Sequence, residues 1–298
     1  MTGLVPLDKA EGELSRRAMS AAAQLFDERH AGHAGTLDPL ATGVLPVLLG
    51  RACKLLPYLP QEKRYTAGVQ FGFRTDTADV TGCRVLENPK MPTRDELLEI
   101  LPRFTGKVDQ IPPMYAAVKL DGRPLYEYAR AGREVERRSR TVEIYALTLL
   151  EYDSVSMTAV LDVHCSGGTY VRTLCEDMAE ALGAAAALRS LRRTMSAGIE
   201  IGCCYRQSQL ETLNQAGRLQ DAVISAEALF PHLEDRTVPR EGETYYRNGG
   251  VIREDRLDGA LTGGLYRVYG ASGAFIGLGT AVLLPDGPHL KSVWTEEI

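Results

Sequence analysis

Apolar positions along this chain change rhythm several times, and each change marks an element. Ala18, Met19, Ala22, Leu25 and Phe26 recur at helical spacing, which predicts an amphipathic helix over about Ser15 to Glu28. Next comes His30 to Gly50, where Gly32, Gly35, Gly43 and Gly50 with Pro39 and Pro46 predict a folded loop broken by a short helical turn. Strict alternation follows from Lys63 to Phe73: Tyr65, Ala67, Val69, Phe71 and Phe73 point one way, so a strand with one buried face is expected. Thr93 and Glu96 form a capping box ahead of Leu97, Leu98, Ile100 and Leu101, which starts a helix ending near Phe104 and Gly106. Met157, Ala159, Leu161, Val163 and Cys165 alternate as a second strand, which runs through Gly167 and Gly168 into a helix carrying Leu174, Met178 and Leu182. After about Leu233 the texture becomes short alternating segments with turns, such as Leu265 to Tyr269 and Ala274 to Leu278.

Strands and helices thus mix without a regular βαβα rhythm, and neither G-x-G-x-x-G nor a P-loop occurs, so the fold class expected is α+β. Residues 1–233 are expected to form one domain and 234–298 a small β-rich second one. A chain of 298 residues, 44% hydrophobic, can bury a large core. The most apolar stretch, Leu40 to Gly50, is short and interrupted by Pro46, well below the roughly 18 to 20 residues of a membrane span. Met1 to Lys9 lacks the basic flank and apolar segment of a secretory signal, and a cytoplasmic protein is expected.

Six cysteines (Cys53, Cys83, Cys165, Cys175, Cys203, Cys204) form no C-x-x-C pair, so free, mostly buried thiols are expected and no metal site. The formal net charge of −5 would repel a polyanion at long range, so nucleic-acid binding would have to rest on local charge. Two clusters supply it: seven basic residues against four acidic ones between Lys119 and Arg140, then Arg189, Arg192, Arg193 and Arg206. Alone, such runs read as solvated faces.

The most informative stretch is Gly32-His33-Ala34-Gly35-Thr36-Leu37-Asp38-Pro39-Leu40-Ala41-Thr42-Gly43-Val44-Leu45-Pro46. Taken by itself, Asp38 before Pro39 is a good helix start, a capping carboxylate with proline at the first helical position. The segment closely resembles the signature of the TruB family of pseudouridine synthases, which act on uridine 55 in the T-arm of tRNA with an aspartate as the catalytic residue. Further matches follow in order: Lys63-Arg64-Tyr65, Arg74-Thr75-Asp76-Thr77 with Asp79 and Gly82, Gln110-Ile111-Pro112-Pro113-Met114-Tyr115, Leu125-Tyr126-Glu127-Tyr128-Ala129-Arg130, Gly168-Thr169-Tyr170-Val171-Arg172-Thr173 and Leu191-Arg192-Arg193. The resemblance spans roughly Leu4 to Arg193.

It implies a pseudouridine synthase fold, a central mixed, mostly antiparallel sheet flanked by helices, followed by a PUA-like RNA-binding domain at 234–298. It implies an isomerase: the N1–C1′ bond of a flipped-out uridine breaks, the uracil turns, and C5 bonds to C1′. Nothing is oxidised and no group is donated, so no cofactor is needed. One carboxylate can suffice where a glycosidase typically needs two, because the base is kept and no water enters. Asp38 would act in its ionised form, with Arg172 beside it depressing its pKa by on the order of one to three units. Tyr65, a core aromatic by periodicity alone, would stack on the uracil, its hydroxyl a candidate for moving the C5 proton. The same resemblance assigns His33, Tyr170, Leu191, Lys9, Lys54 and Arg130 to the substrate or the RNA, and makes residues 107–142 an RNA-binding insertion. The partner implied is the T-arm stem-loop of tRNA, with no membrane and no obligatory protein partner.

Two departures stand out. The family's N-terminal K-P-x-G-x-[ST]-S segment reads here Lys9-Ala10-Glu11-Gly12-Glu13-Leu14-Ser15, losing the proline and one hydroxyl, and Cys53 stands where threonine is usual. Competing roles on the same scaffold are a non-catalytic RNA chaperone and a guide-RNA-dependent synthase. Retention of Asp38, Tyr65 and Arg172 together argues against the first, and the acidic balance without lysine-rich tails argues against the second. A hydrolase or phosphotransferase would want a second acid, for which Asp76 and Asp79 are the nearby candidates.

Overall fold

The computed structural model describes residues 1–116 and 118–296. Thirteen strands precede residue 201: β1 (Gly3–Lys9), β2 (Ala31–His33), β3 (Thr42–Leu49), β4 (Lys63–Phe71), β5 (Phe73–Thr75), β6 (Arg84–Glu87), β7 (Gly106–Gln110), β8 (Lys119–Leu120), β9 (Arg123–Pro124), β10 (Arg140–Asp153), β11 (Thr158–Cys165), β12 (Ala186–Ser196) and β13 (Ile199–Glu200). Nine of them form one sheet in the order β1-β3-β12-β4-β11-β10-β7, with β2 beside β3 and β13 beside β12. All pairings in it are antiparallel except β12 with β3. This is the α+β architecture expected.

Five helices accompany that sheet: α1 (Ser15–Leu25), α2 (Arg94–Ile100), α3 (Leu125–Arg130), α4 (Val171–Ala181) and α5 (Gln207–Gln215). Leu97 and Ile100 of α2 and Leu174, Cys175 and Met178 of α4 join Tyr65, Ala67, Val69 and Phe71 of β4 in one buried cluster. Ala18, Ala22 and Ala23 of α1 and Leu210 of α5 close a second cluster over Leu45, Val47 and Leu49 of β3. The capping box at α2 forms as expected: Thr93 Oγ1 accepts from Glu96 N at 3.2 Å, and Thr93 N donates to Glu96 Oε2 at 2.7 Å.

Three expectations change. The segment His30 to Gly50 is not a loop throughout, because β2 and β3 occupy much of it. Its apolar run is buried on both faces, so it shows no alternation, and Pro46 is tolerated because it pairs with Pro6 and neither residue has an N–H to leave unbonded. The strand from Lys63 breaks at Gly72, whose φ of 108° turns the chain before β5. Helix α1 stops at Leu25, since Asp27 adopts φ 50°.

Beyond Leu233 the chain forms a five-stranded sheet, β14 (Glu234–Thr237), β15 (Val251–Arg253), β16 (Leu265–Tyr269), β17 (Phe275–Leu284) and β18 (Gly287–Thr295), ordered β14-β16-β17-β18-β15, with one helix, α6 (Arg240–Arg247). It is fused to the larger body. Leu278 and Trp294 belong to the same buried cluster as Leu4, Leu48 and Phe230, Trp294 Nε1 donates to Arg51 O at 3.1 Å, and Tyr269 donates to Glu227 at 2.9 Å.

Candidate active site

The loop between β2 and β3 presents Asp38, and its neighbours are held from below. Ser15 Oγ accepts from Leu37 N at 2.9 Å and donates to Leu37 O at 2.8 Å. Gly12 N donates to Pro39 O at 2.8 Å, and Lys9 Nζ, itself buried, donates to Ala10 O at 2.7 Å and reaches Pro39 O at 3.4 Å. The residues flanking Asp38 are therefore pinned. The short helical turn expected in this segment starts there, closed by Ala41 N on Asp38 O at 3.0 Å.

Arg172 comes from the first turn of α4. Gln110, on β7, brackets the residue before that helix: its Oε1 accepts from Tyr170 N at 3.0 Å and its Nε2 donates to Tyr170 O at 3.2 Å. Only 5% exposed, Arg172 places Nη2 3.0 Å from Asp38 Oδ2 and 2.8 Å from Tyr115 O, and Nη1 3.0 Å from Thr77 O and 4.0 Å from Asp79 Oδ2. The guanidinium thus joins Asp38, Asp79 and two backbone carbonyls from separate loops. Asp79 follows Ala78, whose φ of 62° is left-handed, and its Oδ1 accepts from Thr77 Oγ1 at 3.0 Å and Thr81 N at 2.9 Å.

Asp38, Arg172, Tyr65, Tyr170 and Leu191 converge on one cavity of about 260 Å³, with Gly35, Thr36, Lys63, Gly168 and Thr169 around them. Tyr65 and Leu191 lie on adjacent strands, β4 and β12, so an aromatic ring and a leucine form its apolar wall. Burial pushes the Tyr65 phenol up to about 12, a rise the charge of Arg193 opposes. The Asp38 carboxyl is held above the ordinary aspartate value, primarily by burial and secondarily by the charge of Asp79, against the opposing pull of Arg172 and Lys9. The direction is opposite to that expected from the arginine alone, because desolvation of a carboxylate outweighs one cation that is shared with a second carboxylate.

The other expected contacts separate. His33 lies on β2, half-buried, outside the cavity wall, its Nδ1 unpartnered among the described residues and its pKa lowered by burial and by Arg193. Lys54 is exposed beside Asp27, Glu28 and Arg29 in another depression, and Arg130 is exposed at the end of α3 with its guanidinium 5.3 Å from the centre of the Tyr126 ring. The second basic cluster is not a single face: Arg193 is 0% exposed and Arg192 pairs with Asp8 at 2.9 Å, leaving Arg189 and Arg206 in solvent. Of the six thiols, only Cys165 and Cys175 are fully buried. No cluster of potential metal ligands and no helix long and apolar enough to cross a membrane occurs among the described residues.

Both the fold and the sequence that carry this site have counterparts among known proteins. The fold matches the solved Cbf5-Nop10-Gar1 complex with a TM-score of 0.71 at 22% identity, covering 100% of this chain and 84% of that one. The model of the TruB family pseudouridylate synthase N-terminal domain matches residues 23–171. The chain is 42% identical to tRNA pseudouridine synthase B of Chromobacterium violaceum, over 94% of this chain and 90% of that one. It is 37% identical to the Escherichia coli protein of the same name, over 94% and 91%. The chain belongs to the TruB family of pseudouridylate synthases.

Proposed function

We propose that this protein is a cytoplasmic tRNA pseudouridine synthase that isomerises uridine 55 in the T-arm, flipping the uridine into the cavity at Asp38. The observation that carries this reading is the Asp38–Arg172 pair, 3.0 Å apart at a cavity walled by Tyr65 and Leu191. Ionised Asp38 either attacks C1′ or removes a proton from the sugar. Either route breaks N1–C1′, and the detached uracil rotates between Tyr65 and Leu191 until C5 faces C1′. Bond formation at C5 is followed by loss of its proton, which the Tyr65 hydroxyl is the candidate to relay while giving up its own, and N1 ends protonated.

Extruding a base from its stack costs a few kcal/mol, which contacts elsewhere on the RNA must offset. The exposed basic residues of the 107–142 segment and the second sheet, read as PUA-like, are the proposed source of those contacts. A role in helping tRNA fold would use the same surfaces. Incubation of an unmodified tRNA transcript with the purified protein and no added cofactor, followed by mapping of pseudouridine, tests the reading. Product at the T-arm uridine is expected; product confined to another position, or none, overturns the assignment.

A further inference from the structure

The cavity has a support that none of its walls reveals. Arg193 lies on β12, directly opposite Tyr65 of β4 on one side and Gly43 of β3 on the other. It is 0% exposed. Its Nε donates to Val44 O at 2.7 Å and its Nη2 to Gly35 O at 3.0 Å, so one side chain ties the start of β3 to the loop three residues before Asp38. Gly35 makes that approach feasible: its φ is 86°, and a Cβ there would lie 3.2 Å from both Arg193 Nη1 and Lys63 Cε. The third arm, Nη1, is buried without a well-formed hydrogen bond among the described residues, and the neutral Tyr65 hydroxyl lies near enough that a side-chain hydrogen bond with Arg193 favours the charged guanidinium.

Among the described residues no carboxylate is one of the charges that bear on Arg193. A guanidinium taken out of water carries a large desolvation cost unless it is compensated, and replacing such a buried charge by an apolar side chain of similar volume is often neutral or stabilising. Its positive charge also acts on Lys9, His33 and Lys63, each of which it pushes toward the neutral form. Packing alone therefore does not account for an arginine here. Its arms reach the loop bearing Asp38, the strand leaving that loop and the ring facing the cavity.

We propose that Arg193 is a positioning residue for the isomerisation: it fixes the Asp38 loop against Tyr65, and its free arm accommodates the tyrosine oxygen. An N–H directed at that oxygen leaves the phenolic O–H to point into the cavity, where a reacting base would be. The inference rests on the pseudouridine synthase reading.

The test compares wild type with Arg193→Gln, Arg193→Lys, Tyr65→Phe and the Arg193→Gln/Tyr65→Phe double variant. It measures tRNA affinity and the single-turnover rate of pseudouridine formation. A misplacement of about 1 Å in a reacting constellation costs on the order of 100-fold in rate. Arg193→Gln is expected to lose about that much with tRNA affinity within about threefold of wild type. Arg193→Lys keeps the charge and cannot span both carbonyls, and should fall between; it also serves if the glutamine variant does not fold. In the Tyr65→Phe background the glutamine substitution should cost less than a tenth of what it costs alone, on the order of tenfold or below. An unchanged rate in Arg193→Gln, a loss of rate matched by loss of tRNA binding, or an equal loss with and without the Tyr65 hydroxyl would overturn the inference. A wild-type protein that makes no pseudouridine would instead overturn the functional reading beneath it.

Discussion

Arg172 holds Asp38 at 3.0 Å while its other terminal nitrogen lies 4.0 Å from Asp79, so one guanidinium is shared between two carboxylates. Arg172 favours the ionised form of Asp38, whereas burial and Asp79 favour the protonated form, and the balance leaves the carboxyl above its usual value. The proposed mechanism uses the ionised form, so the rate should fall as pH drops through a point above the ordinary aspartate range. Asp79→Asn removes a charge that raises the Asp38 pKa and should move this acid limb to lower pH. Arg172→Gln removes one that lowers it and should move the limb to higher pH. Single-turnover rate profiles on variants shown to be folded decide the matter; shifts of the same sign in both would contradict this electrostatic account.

Helix α1 starts at a defect. Leu14 occupies the N-cap with φ −77° and ψ 132°, makes no side-chain hydrogen bond, and is 48% exposed. This is the hydroxyl that the sequence lacks relative to the family pattern. Leu14→Ser should add about 1 kcal/mol of stability, within the roughly 0.5 to 2 kcal/mol range for such caps. A rise in the urea midpoint at constant slope would report it. An unchanged midpoint would mean that the first-turn N–H groups are already satisfied.

Trp294 is the only tryptophan of the chain, 3% exposed, and packs where the second sheet meets the larger body. Truncating it there removes a large ring and the indole N–H that donates to Arg51 O. Trp294→Ala should cost about 3 to 5 kcal/mol. Denaturation followed by circular dichroism measures the loss, and a cost below about 1 kcal/mol would show that the two bodies do not depend on this contact.

In the proposed isomerisation no group is donated to or taken from the substrate, and Asp38 with its cation neighbours is expected to suffice without a metal. Activity on pre-folded tRNA should therefore survive EDTA. Loss of activity restored by a divalent ion would show that the carboxylates hold a metal in use.

Elements that expose one face were legible in the residues, as the alternation through Tyr65 to Phe71, the strand at Leu265 to Tyr269 and the Thr93–Glu96 capping box all show. Strand β3 was hidden because it is buried on both faces and so carries no period. At the site, Asp38, Tyr65, Arg172, Tyr170 and Leu191 meet at one cavity although they are spread over more than half the chain. Nothing in the sequence assigned Ser15, Asp79, Gln110 or Arg193 a role in holding the site, Asp79 being read as a candidate second acid. Their work depends on which neighbour the sheet register and loop paths bring to them: Leu37 for Ser15, Arg172 for Asp79, Tyr170 for Gln110, and Gly35 and Val44 for Arg193. Arg193 also looked like part of a solvated basic cluster, because the pairing that buries it is made by β3 and β4, far away in sequence.

The most direct test of the central claim is to compare wild type with Asp38→Asn for pseudouridine formation in an unmodified tRNA transcript. This nearly isosteric change removes the carboxylate charge and leaves a group that can still face Arg172. Product at the T-arm uridine with wild type and none with the variant, at comparable tRNA binding, is the expected result. Product formed by Asp38→Asn at a rate near that of wild type would contradict the assignment of Asp38 as the catalytic carboxylate.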